Sequence, residues 1–383
     1  MPSSHQLIID QLQQLVGSPS VSSTDPKWDQ GNRGVIELLA SWLADLGFTT
    51  EILAVNSDGS KANLIATLGS GPSGLVLAGH TDTVPFDEGR WQSDPLQLTE
   101  RENRLFGLGS TDMKGFFPLV LAAARGIGTT RLRQPLILLA TADEESSMDG
   151  ARSLAQAGRP LGRAAIIGEP TSLLPMRMHK GIMMEAVCIT GRAGHSSNPA
   201  LGNSALDAMH SVMGELMAFR AELAERYRSD FFKVAYPTLN LGCIHGGDSP
   251  NRICGQAELH FDLRMTPAGN NATVRAELQQ RLEAIGQRQG LLVELRELIP
   301  DVEPFEEPAQ SELVQLAEKL TGHTAAAVDF ATEAPFMQQL GMQTIVMGPG
   351  SIDRAHQPDE YLELDQIRPC IALLEQCIRH YCL

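Results

Sequence analysis

The sequence has no excess of positive charge, no Cys-x-x-Cys pair and no apolar run of membrane length. Lysine and arginine total 30 against 46 aspartates and glutamates, a formal net charge of −16, which argues against nucleic acid or an anionic membrane as partner. A small anionic ligand held by a few local cations is compatible with that balance. Cysteines 188, 243, 254, 370, 377 and 382 lie mostly among apolar residues, as buried thiols of a reducing compartment do. The opening Met1-Pro2-Ser3-Ser4-His5-Gln6 lacks a basic stretch followed by an apolar core, so the expected location is the cytoplasm. The order Gly-x-Gly-x-x-Gly is missing from the first strand-to-helix connection, and the glycines at 107–115 lack that context, which argues against a dinucleotide-binding oxidoreductase.

Apolar material is not scarce. Hydrophobic residues make up 43% and charged residues 20% of 383 positions, ordinary for a globular protein and enough for two domains. The first half alternates helix and strand. Helical spacing runs over 6–16 and 32–46, with Gly47 as a C-cap. Strands are expected at 50–55, 63–68, 75–78, 135–142 and 164–167, with helices at 115–125 and 148–157. The nearly unbroken apolar run 135–142 suits a strand buried on both faces of a parallel sheet.

From about Gly181 the rhythm changes to strand, helix, strand, strand, helix, strand, at 183–189, 204–228, 238–243, 256–265, 274–288 and 291–295. That order is the split βαβ arrangement. Helices at 311–320, 333–340 and 364–379 and a strand at 344–347 resume the first pattern. The fold class is therefore α/β: a discontinuous, mostly parallel-sheet domain over 1–179 and 296–383, with helices on both faces, and an inserted ferredoxin-like domain over 180–295.

Polar residues recur where apolar strands end. His80 and Asp82 close one strand, Asp143-Glu144-Glu145 follow a second, Glu169 follows a third, and His356 lies in a turn-rich loop after a fourth. Asp112 opens a helix after a glycine-rich stretch and, taken alone, reads as a cap. The carboxyl ends of parallel strands share one edge, so these loops converge. Two imidazoles among several carboxylates suit two Zn2+, Co2+ or Mn2+ ions better than Ca2+. Asp82 is placed to hold the far ring nitrogen of His80. Adjacent Glu144 and Glu145 point differently, one to ligate and one to take a proton, and spacing leaves open which is which.

The strings Leu77-Ala78-Gly79-His80-Thr81-Asp82-Thr83-Val84-Pro85, Asp112-Met113-Lys114-Gly115, Ala142-Asp143-Glu144-Glu145, Ile167-Gly168-Glu169-Pro170-Thr171 and Ala355-His356-Gln357-Pro358-Asp359-Glu360 together resemble the M20 family of metal-dependent amidohydrolases and peptidases, over nearly the whole chain. The resemblance implies that His80 and Glu169 bind one metal, Glu145 and His356 the other, and Asp112 bridges. It implies Glu144 as general base and Asp82 as the group orienting His80. It also implies a homodimer formed through the inserted domain, with His195 of Gly194-His195-Ser196 reaching the partner's site to assist the oxyanion; read by itself, His195 is an exposed turn histidine. The resemblance also implies Asn251, Arg264 and Lys180, in the string His179-Lys180-Gly181, as contacts of an N-acyl-amino-acid substrate; Arg252 is a further candidate, since arginine can grip a carboxylate in a bidentate pair. Glu333, in Thr332-Glu333-Ala334-Pro335-Phe336, is either a sensor of a distal substrate ammonium or an ordinary carboxylate at a helix start. A binding scaffold on the same fold would hold metal without hydrolysing an amide; the full ligand set with a free Glu144 argues against it.

Overall fold

Leu75–His80 and Leu136–Thr141 are buried at every position, so neither strand has a face for water and both belong in a sheet covered on two sides. The computed structural model describes residues 4–128 and 132–383. It pairs these two strands in parallel and continues, also in parallel, through Ala164–Pro170 to Gln343–Gly348. In this register His80 lies opposite Thr141, and Gly348 lies opposite Pro170. Four carboxyl ends therefore share one edge.

The flanks run the other way. Thr49–Ala54 and Ala62–Leu68 form antiparallel pairs beside Leu136–Thr141, and Met176 of Met176–His179 pairs antiparallel with Val346. The sheet is thus mixed, parallel only in its centre, because antiparallel neighbours need no crossover helix to join the edge.

From Leu75–His80 the chain crosses by helix Phe116–Ile127 to Leu136–Thr141 on one side, then by helix Asp149–Ala157 to Ala164–Pro170 on the other. Right-handed crossovers in opposite directions put these helices on opposite faces. They also open a crevice at the carboxyl end of the strand carrying His80. Packing follows the alternation of the strands: Leu75, Leu77, Leu136 and Leu138 join one core with Leu12, Leu15, Phe116, Phe117 and Leu374. On the other face Asp149–Ala157 meets helix Ala334–Gln339. Burial of Phe116 and Phe117 contributes about 2 kcal/mol each.

Glycine precedes both His80 and Glu169 because the chain after Asp112 packs directly on these strands. A Cβ at Gly79 would lie 2.3 Å from Met113 Cε, and one at Gly168 would lie 2.2 Å from the Phe116 ring.

The chain divides into two compact units: Met1–Arg177 with Glu307–Ala326 and Thr332–Leu383, and Met178–Glu306 with Ala327–Ala331. In the second, the sheet order is Thr238–Gly246, Gln256–Arg264, Ile182–Thr190, Leu292–Val302, with antiparallel neighbours throughout. Helices Ala205–Arg226 and Asn271–Gln289 pack Val212, Leu216, Phe219, Val274 and Leu278 against Leu259, Phe261 and Leu263 of this sheet. Ser204 and Asn270 cap the two helices by accepting from the Asp207 and Thr273 N–H groups, about 1 kcal/mol each. No helix among the described residues is long and apolar enough to cross a membrane.

Sequence periodicity does not reveal a small three-stranded sheet, Tyr361–Glu363 beside Arg104–Phe106 beside Thr99–Arg101. Strands of three residues are too short to carry a period. This sheet lays the segment after His356 against the loop that ends in Asp112.

Candidate metal centre

Asp112 is the hub. Its Oδ1 is 3.1 Å from His80 Nε2, and its Oδ2 is 3.3 Å from His356 Nε2. It does not cap the helix that follows: Gly115 holds the N-cap position, without a side-chain bond. His356 Nε2 is also 3.0 Å from Glu145 Oε1, and His80 Nε2 is 3.7 Å from Glu169 Oε1. Two groups of ligand atoms, His80 with Glu144 and Glu169, and His80 with Asp112 and Glu145, each fall within 4.8 Å. The arrangement is a dinuclear metal-binding site.

The donor set fits divalent cations on physical grounds. Imidazole and carboxylate together suit first-row transition ions. Glu169 Oε1 is buried with no hydrogen-bond partner, and a buried charged oxygen without a partner is costly. Desolvation and the negative neighbours Glu169, for Glu144, and Asp112, for Glu169 and Glu145, push all three glutamates above the usual carboxylate range. Asp112 goes the other way: burial resists, yet hydrogen bonds from His356 and His80 hold it low. His356 is raised to about 11 by its contacts with Asp112 and Glu145. His80 is raised as well, burial being outweighed by Glu169 and Asp112.

The environment of Asp82 separates it from the ligands. It sits beneath His80, whose Nδ1 is 3.0 Å from the Asp82 backbone oxygen and 3.7 Å from Oδ1. Its Oδ2 accepts the Glu145 N–H at 3.0 Å. One buried carboxylate thus contacts both His80 and the backbone of Glu145.

Of the three consecutive acids, Asp143 turns away, with φ at 61°. It binds Lys61 Nζ at 2.7 Å and accepts from Ser22 Oγ at 2.8 Å, while its carbonyl accepts the Ser146, Ser147 and Met148 N–H groups. That turn leaves Glu144 and Glu145 directed at the centre. Sequence reasoning gave Asp143 no separate role; the signal was Lys61, distant in sequence.

Glu333 lies in the same unit as the ligands and is fully buried. It occupies the N-cap of Ala334–Gln339 without a side-chain capping bond. Neither carboxyl oxygen makes a hydrogen bond of ordinary geometry. Burial pushes it to about 7, against a downward pull from Thr141 and His80.

The remaining predicted residues belong to the second unit. His195 is exposed, its Nδ1 2.8 Å from Ser197 Oγ, and its strand residue pairs with Arg252. His195, Asn251 and Arg252 line one shallow depression. Arg252 pairs with Asp248 and Arg264 with Asp262. Lys180 is buried and donates to the Val234 and Tyr236 carbonyls, with Asp329 at 3.2 Å.

A family model described as Peptidase family M20/M25/M40 matches residues 76–380. The chain belongs to this family. Members similar to it include acetylornithine deacetylase of Klebsiella pneumoniae (strain 342), 49% identical over 368 residues and covering 96% of each chain. Acetylornithine deacetylase of Pasteurella multocida (strain Pm70) is also 49% identical, with 96% of each chain covered. Among solved structures, the M20 family metallo-carboxypeptidase Sso-CP2 from Sulfolobus solfataricus aligns with a TM-score of 0.73 at 17% identity, covering 100% of this chain and 99% of that one. A dinuclear metal-binding M20 peptidase from Bacillus subtilis aligns at 0.68 and 15% identity, covering 99% of both. At such identities the solved structures support the M20 fold alone. Family membership and the dinuclear site make the chain a metal-dependent hydrolase.

Proposed function

We propose that the chain hydrolyses N2-acetyl-L-ornithine to L-ornithine and acetate, a step of arginine biosynthesis, in the cytoplasm. The observation that carries the chemistry is the set of ligand atoms around Asp112 with Glu144 beside them. The acyl group and side chain are supported by the 49% identity, over 96% of the chain, to proteins named acetylornithine deacetylase.

In this reading His80 and Glu169 hold one divalent ion, Glu145 and His356 hold the other, and Asp112 lies between. Zn2+ and Co2+ fit the donor set, and Mn2+ is acceptable. When bound, such a pair acidifies water and polarises the amide carbonyl.

Glu144 takes the proton from the attacking water as oxygen adds to the acetyl carbon, then gives it to the α-nitrogen as the C–N bond breaks. Its raised pKa, set by desolvation and by Glu169, suits a group that must hold that proton between the two events. Proximity alone does not separate Glu144 from a ligand, because its oxygen lies in the cluster with His80 and Glu169. The division of labour between Glu144 and Glu145 rests on Glu145 being the one in contact with His356. Asp82 orients His80.

The segment 180–295 acts as a dimerisation domain, and His195 donates to the oxyanion of a partner's site in a homodimer. Lys180, Asn251, Arg252 and Arg264 are the substrate-binding candidates, an arginine gripping the substrate carboxylate, and Glu333 faces the distal ammonium. The deciding assay compares acetylornithine, succinyl-diaminopimelate and a simple acetylamino acid on zinc- or cobalt-loaded protein. The highest kcat/KM is expected for acetylornithine; a preference for the succinyl substrate would overturn the assignment in favour of a desuccinylase.

A further inference from the structure

Glu360 is buried, 2% exposed, four residues beyond His356, and its carboxylate reaches into the loop that carries Asp112. Its Oε2 accepts the Gly109 N–H at 3.0 Å, and its Oε1 accepts the Thr111 N–H at 2.8 Å and the Asp112 N–H at 3.0 Å. Its own carbonyl accepts the Gly107 N–H at 3.0 Å, and Thr111 Oγ1 donates to the Tyr361 carbonyl at 2.9 Å. No lysine or arginine among the described residues pairs with this carboxylate; the nearby Lys114 spends its Nζ on the Leu15 and Ser18 carbonyls. A buried carboxylate satisfied by three amides is a strong, directional clamp on their backbone.

The clamp joins the segment after His356 to the loop before Asp112, next to the short sheet in which Tyr361–Glu363 pairs with Arg104–Phe106. His356 and Asp359 both adopt left-handed backbone, with φ of 57° and 59°, a conformation that persists only where surrounding contacts over-determine it. Glu360 anchors the end of that stretch while gripping the Gly107–Asp112 loop, so its side chain ties the backbone of Asp112 to the segment that carries His356.

Building on the dinuclear reading above, we propose that Glu360 is a positioning residue that fixes the bridging carboxylate of Asp112 and thereby tunes both metal sites together. A terminal ligand such as Glu169 belongs to one ion, whereas a displaced Asp112 is felt by both. Glutamine at 360 places an NH2 donor against an amide donor, so at least one of the three N–H groups loses its acceptor and the loop must shift.

The test uses the full chain, stripped of metal and titrated with Zn2+ and Co2+. For Glu360→Gln we expect both binding steps to weaken tenfold or more, in the range typical of groups that orient metal ligands. The visible absorption of the cobalt-saturated protein should change, and Glu360→Asp, which keeps the charge but shortens the reach, should fall between. If Glu360→Gln is insoluble, the Asp variant carries the comparison. Two-ion binding within twofold of wild type and an unaltered cobalt spectrum, even with a lowered Tm, would mean that Glu360 only supports the fold and would overturn the proposal. Wild-type protein that takes up fewer than two ions would instead overturn the dinuclear reading, so the two failures are distinct.

Discussion

At the edge of the mixed sheet, Asp82, Asp112, Glu144, Glu145 and Glu169 crowd around two histidines, and among the described residues no lysine or arginine pairs with them. In the second unit the acids are distributed among arginines. Arg281 meets Glu215, Glu222 and Glu277, and Arg275 meets Glu185, Glu297 and Asp301. The titration behaviour diverges accordingly. At the sheet edge desolvation and like charge hold Glu144 and Glu169 above the usual range. In the second unit the Arg281 hydrogen bond holds Glu222 below it, and Arg226 and Arg281 do so for Glu277 against burial. Negative charge gathered without lysine or arginine partners is tolerated where another cation is to be bound; acids such as Glu222 and Glu277 that share arginines need nothing further, while Glu185, buried beneath Arg275, is raised by burial like the acids of the sheet edge.

The comparison is broken most sharply at Glu144. Replacing it with glutamine removes one acid from the cluster and the proposed proton carrier from the reaction, so turnover should fall by two or more orders of magnitude while metal content, measured by elemental analysis, stays at two ions. Retained turnover would remove Glu144 from its role.

His195→Ala is expected to lower kcat by roughly a hundredfold, on the scale of one oxyanion donor, and to leave KM nearly unchanged. Mixing this variant with Glu144→Gln under subunit exchange should recover activity if sites are composite. No recovery would argue for self-contained sites.

Acid should affect the two regions with opposite sign. Glu144, Glu169 and His356, the last at about 11, all have folded pKa values above their unfolded ones, so the folded metal-free protein binds the additional protons. Its Tm should therefore rise as pH falls from about 8 to 6, a trend that bound metal should flatten. The lowered pKa values of Glu222 and Glu277 give stability that is lost only below about pH 4.5. A Tm that falls steadily from pH 8 to 6 in the stripped protein would contradict the unpaired-acid account.

Discrimination at Glu333 is a finer matter. Glu333→Gln should reduce the preference for N-acetylornithine over N-acetylnorvaline by about tenfold, or about 1.4 kcal/mol. Unchanged discrimination would reject the ammonium role. The smallest effect is expected for Arg281→Ala, about 1 kcal/mol of stability by denaturant melts, because partly exposed ion pairs are screened. A much larger loss would show that the second unit depends on its charge network more than its core.

Much of the fold was legible beforehand because long apolar runs and helical spacing are local properties. Leu136–Thr141, Leu75–His80 and the order of the split βαβ unit all follow from them. The antiparallel flanks of the main sheet and the three-residue strands near Tyr361 were not legible, since pairing direction and very short strands leave no period. At the site, His80, Glu169, His356 and the Glu144-Glu145 pair could be nominated from strand ends, whereas Asp112, which alone reads as a helix cap, and the choice between Glu144 and Glu145 needed the family resemblance. The turning away of Asp143 toward Lys61, and the clamp of Glu360 on three amides, could not.

The sequence by itself determined the ligand chemistry and the edge at which it would gather: imidazoles and carboxylates placed just beyond buried strands must meet wherever those strands run parallel. Tertiary structure decided which of neighbouring acids faces the centre, that Asp82 lies under His80, and that Asp112 stands between both histidines. The physical reason is that side-chain direction at a strand end depends on loop closure and on hydrogen bonds from segments more than a hundred residues away, as between Glu360 and Asp112, and no local pattern encodes those.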